Sequence, residues 1–192
     1  MKKTTILEMN RLSVEEFHDA EKMPLIVVLD DVRSLYNVGS VLRTADAFRV
    51  ECVYMCGITA PPLSEGDAQH RWTMKVAQEI HKTALGAEES VEIRYFKTAL
   101  EAVKLLQAEG YKVLAVEQAH GSTMLQEFTP QQKQRYAIVM GNEVKGVHQE
   151  VVDQADGCLE LPQYGTKHSL NVSVTAGIAI WHFAEQFIVH NS

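Results

Sequence analysis

Apolar residues in this chain alternate between short unbroken runs and stretches where they recur every three or four positions. "SVEE" at Ser13–Glu16 has the spacing of a capping box and predicts a short helix ending near Lys22, where Met23-Pro24 breaks it. "LIVVLDDV" is a continuous apolar run closed by acids, which fits a strand buried on both faces of a parallel sheet. In "NVGSVLRTADAFRV", Val38, Val41, Leu42, Ala45 and Phe48 fall at helical spacing, and "ECVYMCG" reads as a second strand. Residues 58–70 are rich in turn formers. Beyond them the pattern predicts a helix in "AQHRWTMKVAQEIHKTALGA", a strand in "VEIRYF" and an amphipathic helix in "KTALEAVKLLQAEG" ended by Gly110. Strands follow at "YKVLAVEQ", "RYAIVMGNE" and "CLELP". A helix at "HQEVVDQA" lies between the last two, and a long C-terminal helix runs to about Val189. Strands alternating with helices predict an α/β fold with a mainly parallel sheet flanked by helices. No repeat or linker interrupts the pattern, so residues 1–192 read as one domain with a short helical extension at 1–23.

Composition narrows the functional classes. The chain has 192 residues, 46% apolar and 22% charged, as ordinary globular domains do. No apolar run is long enough to cross a bilayer, and "MKKTTILEMN" lacks the apolar core of a secretory signal. Cys52, Cys56 and Cys158 form no CxxC pair, which suggests reduced thiols, a cytoplasmic location and no zinc site. The eight histidines form no ligand motif, so no metal is expected. A net charge of −7 does not advertise nucleic-acid binding, so an RNA partner would require cations focused on one face or pooled by two subunits.

Three polar clusters directly follow strands, where open α/β sheets bind their ligands. In the first, Asn37, Gly39 and Arg43 open the helix after "LIVVLDD", and Arg43 lies among apolar positions that would hold its guanidinium near the packed side. A plainer account is an Asn cap, a turn glycine and a snorkelling arginine. In the second, "VMGNEVKGV", Gly141 and Gly146 suit close backbone approach, with Asn142, Glu143 and Lys145 beside them; the plainer account is a solvated turn. The third, "LPQYGTKHSLN", crowds Gly165, Thr166, Lys167, His168, Ser169 and Asn171 at the entrance of the last helix. A cap at Ser169 with Asn171 bonded back into the first turn would use only two of these groups. Neither a Walker A loop nor a GxGxxG fingerprint is present.

Together "NVGSVLRTADAF", "VMGNEVKGV" and "LPQYGTKHSLNVSVTAG" resemble, in order and spacing, the three motifs of the SpoU branch of the SPOUT RNA methyltransferases, from Leu25 to about Phe187. The resemblance implies an α/β domain whose residues from about 112 to 187 form a deep trefoil knot that binds S-adenosylmethionine. It places Val116, Glu117, Gly141, Asn142, Leu161, Ser169 and Leu170 at the cofactor, with Gly141 and Gly165 admitting it closely. It implies methyl transfer to a ribose 2′-hydroxyl, with Arg43 as base or electrostatic stabiliser. Asn37 would position the ribose or hold Arg43, Glu143 would fix the second loop and the arginine, and Ser169 and Asn171 would complete the site. A homodimer with a shared active site is implied too, its interface drawn from Val174, Ile178, Trp181 and Phe187. Arg71, Lys75 and Lys82 are candidate RNA contacts around Trp72, with His70 and His81, and Arg33 near the first loop could add a phosphate contact; a solvated helix face with one core tryptophan is the plainer account. Some two dozen residues precede the first strand, where ribosomal-RNA members of the family often carry a further domain. That tilts the expected substrate to tRNA, with rRNA or a non-catalytic RNA- or cofactor-binding role as alternatives.

Overall fold

Alternate residues of the first strand belong to different cores, and this sets the architecture. Leu25, Val27 and Leu29 pack in one apolar cluster, Ile26 and Val28 in another. A strand with two buried faces needs helices on both sides. The computed structural model describes the backbone of every residue except 6, 64–71 and 191–192, and side chains apart from these and those of 7 and 188–190.

The elements in chain order are α1 (Val14–Asp19), β1 (Met23–Asp30), α2 (Leu35–Ala47), β2 (Val50–Cys56), α3 (Met74–Ala84), α4 (Ala87–Ser90), β3 (Ile93–Phe96), α5 (Ala99–Ala108), β4 (Lys112–Val116), β5 (Thr123–Met124), β6 (Tyr136–Met140), α6 (Gln149–Gln154), β7 (Gly157–Glu160) and α7 (Val172–His190). The sheet has seven strands in the order β3-β2-β1-β6-β4-β7-β5, every pairing parallel. Helices α2, α3 and α7 cover one face, packed on Leu25, Val53, Ile138 and their neighbours. Helices α5 and α6 cover the other, on Val28, Val113 and Val139.

Chain order reverses at the β1–β6 pair, because α2 leaves β1 to one face and α6 leaves β6 to the other. Such a switch point opens a crevice at the carboxyl ends of the strands. Every strand of the periodicity reading is present, and the capping box is made, with Ser13 and Glu16 bonded reciprocally. The short α4 and the two-residue β5 carry no sequence signal of their own. No described helix is long and apolar enough to cross a membrane.

Gly39 sits inside α2 rather than in a turn before it. The cap of α2 is Ser34, whose hydroxyl accepts the Asn37 N–H at 3.3 Å. A Cβ on Gly39 would lie 2.2 Å from Thr83 Oγ1 and 2.4 Å from the Ile80 carbonyl oxygen. The missing side chain therefore lets α3 press against α2. Gly39→Ala should cost about 1–3 kcal/mol through overpacking, lowering the melting temperature by about 2–4 °C per kcal/mol. Thermal unfolding followed by circular dichroism tests this; an unchanged midpoint would mean the helices separate freely.

Candidate functional site

Three loops at the carboxyl edge of the sheet enclose a cavity of about 520 Å³. The end of β4 supplies Val116, Glu117 and Gln118, the turn after β6 supplies residues 140–146, and the approach to α7 supplies Leu161, Gln163, His168, Ser169, Leu170 and Asn171. All seven residues expected at the cofactor line it. Val116, Met140, Leu161 and Val172 form apolar wall, while Gln163, Ser169 and the loop backbones are polar. Size and lining suit an amphipathic organic ligand.

The β6–α6 loop is pinned at four places. Asn142 accepts the N–H groups of Val144 and Lys145 on its side-chain oxygen and donates its amide to the Asp31 carbonyl at 2.7 Å. The Glu143 carboxylate accepts the Arg33 and Ser34 amides at 3.0 and 2.9 Å and the Asn37 side-chain amide at 3.0 Å. Glu117 accepts the Val147 N–H at 2.9 Å. Buried Asp30 accepts both the backbone N–H and the ring Nδ1 of His148 at 2.9 Å. Burial pushes the Glu143 carboxyl up, but the Arg33 and Ser34 amides and Asn37 outweigh it and hold it below the ordinary glutamate range.

These bonds revise several expectations. The Asn142 side chain braces its own loop, so it faces the cavity through the bracing turn. Glu143 grips the start of α2 and makes no contact with Arg43. Gly141 is bare because of the loop's own fold: a Cβ there would lie 2.1 Å from the Gly146 carbonyl carbon and the Val147 nitrogen. Gly165 faces open space, with nothing within 4 Å of an added Cβ.

The third loop reaches the first through Asn171. Its amide donates to Asn37 Oδ1 at 3.2 Å, and its own oxygen accepts the Ser173 and Val174 amides. Asn171, not Ser169, therefore caps α7, which leaves the Ser169 hydroxyl at the cavity wall without a capping role. Glu143, Asn37 and Asn171 form one directional chain linking all three motifs. Gln118 ties the β4 end to the same loop by donating to the His168 carbonyl at 2.8 Å.

Arg43 lies elsewhere. It is exposed rather than held near the packed side, does not line the cavity, and has no ion-pair partner among the described residues. Asn37 and Asn171 join the starts of α2 and α7, while Phe48 meets Trp181 edge-on at 5.6 Å near the other end. The helices thus run side by side in one direction, placing Arg43 level with an exposed α7 stripe of Val174, Ile178 and Trp181. Phe187 instead packs against the core.

Of the expected RNA contacts, Lys75 and Lys82 lie two turns apart on α3 and Arg33 lies just before α2. Arg33 approaches Glu143 at 3.9 Å, Lys82 pairs with Glu79 at 2.6 Å, and Lys75 is exposed. Trp72 donates its indole N–H to the Ala60 carbonyl and packs on the core, as the plainer account had it. His70 and Arg71 lie outside the described residues.

Sequence reasoning missed Asp30, Asp31, Ser34 and His148. The paired acids closing an apolar run were the available signal, since a strand-end aspartate next to buried residues needs partners. Ligand atoms of Asp30, Asp31 and His148 come within 4.8 Å of one another, spacing that would suit a cation; the Asp30 oxygens are already engaged by His148.

The fold and cavity define an α/β protein that takes an organic ligand where three loops meet at the carboxyl ends of parallel strands. The chain belongs to the SpoU rRNA Methylase family, whose profile matches residues 24–181. It is 30% identical over 163 residues to the 23S rRNA (guanosine-2'-O-)-methyltransferase RlmB of Salmonella typhi, a match covering 85% of this chain and 60% of that protein. It is 28% identical over 162 residues to mouse tRNA (guanosine(18)-2'-O)-methyltransferase TARBP1, covering 84% of this chain and 9% of that protein. Among solved structures, the A. aeolicus TrmH/SpoU tRNA modifying enzyme superposes with a TM-score of 0.74 at 23% identity, covering 93% of this chain and 84% of the other. The chain spans about 60% of the length of the curated bacterial relatives it matches.

The Asp30 hydrogen bond raises the His148 pKa above 6.5. A folded state that holds the proton more tightly gains stability below the unfolded value and loses that gain as pH rises through the folded one. The melting-temperature advantage of the natural chain over His148→Gln should therefore be largest below pH 6.5 and shrink toward pH 8.5. A gap that widens with pH would overturn the assignment of the pair as an ionic clamp.

Proposed function

We propose that this protein is an S-adenosylmethionine-dependent methyltransferase acting on a ribose 2′-hydroxyl of RNA. The observation that carries the reading is the Glu143–Asn37–Asn171 chain, which joins the three motifs of the family at one cavity. The cavity lining fits the donor: apolar residues for adenine and the methionine chain, and Gln163, Ser169 and loop backbone for its polar ends. The bound cofactor supplies an activated methyl group. On this reading residues 112–187 form the trefoil knot, with Val116, Glu117, Gly141, Asn142, Leu161, Ser169 and Leu170 holding the donor. Gly141 and Asn142 serve chiefly by shaping the loop.

A good leaving group leaves the protein two tasks, alignment and activation of a poor oxygen nucleophile. Asn37 and Asn171 orient the ribose from a fixed frame, because each is held by a directional partner. Arg43 is always charged, so its role is electrostatic: it binds the adjacent phosphate and stabilises the developing alkoxide. Its distance from its own cavity supports a homodimer in which burying Val174, Ile178 and Trp181 carries Arg43 to the partner's site. Arg33, Lys75 and Lys82, with Arg71, serve as outer RNA contacts, and tRNA is the favoured RNA.

Methyl transfer from labelled S-adenosylmethionine to bulk tRNA and to rRNA tests the reading. The product should resist alkaline cleavage at the labelled nucleotide, because a 2′-O-methyl group removes the attacking hydroxyl. An alkali-labile product would mean base methylation, and label confined to rRNA would favour the ribosomal substrate. Arg43→Ala should keep cofactor affinity and lower turnover by roughly 10²-fold or more; full activity removes it from the mechanism. Ile178→Glu combined with Trp181→Glu should give a monomer by light scattering and abolish transfer, while an intact dimer would place the interface elsewhere.

A further inference from the structure

We propose that the mouth of the cavity docks an unstacked RNA nucleobase on the ring of Tyr164, with Lys145 and Lys167 contacting the flanking phosphates. The inference rests on the RNA reading above and adds how the target strand is held. Tyr164 is 93% exposed, against 48% for Tyr36 and 49% for Trp181, the other strongly exposed aromatics among the described residues. It is carried by the third loop, between Gln163 and His168, both of which line the cavity. Gly165, next to it in the chain, also faces open space, with no atom beyond its chain neighbours within 4 Å of an added Cβ. On the second loop, Val144 lines the same cavity and is 75% exposed.

The cavity wall and its third loop set two lysines beside two acids, against 18 lysines and arginines and 25 acids in the whole chain. Lys145 lines the cavity and Lys167 is exposed on the loop beside it. Among the described residues neither has an ion-pair partner. The two acids of the cavity wall, Glu117 and Glu143, are engaged by backbone N–H groups. An exposed aromatic ring, with cations lacking ion-pair partners on the second and third loops, supplies the groups that the bases and phosphates of a single strand take. Where the target nucleotide is drawn out of its stack, an aromatic ring at the mouth replaces part of the lost stacking. A second copy of the chain already has a surface suited to it in the α7 stripe.

The test uses the full chain, fluorescence anisotropy with a short single-stranded RNA, and steady-state methyl transfer. Tyr164→Ala should weaken RNA binding and raise the RNA KM by about 5–100-fold, with cofactor affinity unchanged. Tyr164→Phe, which keeps the ring, should restore the lost binding. Lys145→Ala with Lys167→Ala should reduce the slope of log affinity against log salt by about 1.4. RNA affinity of Tyr164→Ala within about twofold of the natural chain overturns the inference. So does a changed oligomeric state in that variant, which would assign the ring to a subunit contact. Tyr164-dependent RNA binding without any methyl transfer would leave this inference standing and sink the catalytic reading; transfer indifferent to Tyr164 would do the reverse.

Discussion

The site depends on one carboxylate. Glu143 leaves the turn after β6, crosses the switch point of the sheet and accepts two backbone N–H groups and one side-chain amide at the start of α2. Helix starts have unpaired amides, and an anion there is favoured by both hydrogen bonding and the helix dipole. The same bonds hold the acid ionised and fix the second loop against the first. Asn37 then has one orientation, since its amide is given to Glu143 and its oxygen is left for Asn171. Motifs separated by more than a hundred residues thus share a single polar frame.

Around that frame, tight backbone packing does work that might otherwise be credited to a ligand. Gly39 lets two helices touch, and Gly141 lets its loop fold onto Gly146 and Val147. Gly146, at a φ of 70°, would bring a Cβ to 2.1 Å from Glu117 Oε2, so that carboxylate and that glycine are matched. The second wall of the cavity is bonded at once to the end of β1, the start of α2 and Glu117 after β4. The third loop is anchored at His168 and Asn171, and its Tyr164, Gly165 and Lys167 are exposed between.

The fold was largely legible because every strand but the two-residue β5 carries a period or a run that few environments satisfy. "LIVVLD" has apolar residues on both faces and must be covered twice; "NVGSVLRTADAF" has one apolar stripe and must be covered once. The seven cofactor-lining residues were legible too, since polar groups after strands in an α/β chain gather at one edge. What each polar group does was much less legible. Asn142 and Glu143 were candidates for cofactor and arginine contact, and both are bonded to protein. The His148–Asp30 clamp left no motif, because its partners are 118 residues apart.

The sequence alone determined the layering, the parallel sheet and the edge on which the chemistry gathers, because burial and periodicity are properties of short segments. Only the tertiary structure decided which polar atoms remain for a ligand, because hydrogen-bond partners are chosen by loops that meet in space. It also decided that Arg43 stands outside its own cavity. An arginine one helical turn from apolar neighbours can face either way, and the packing of α2 on α3 and α7 settles which.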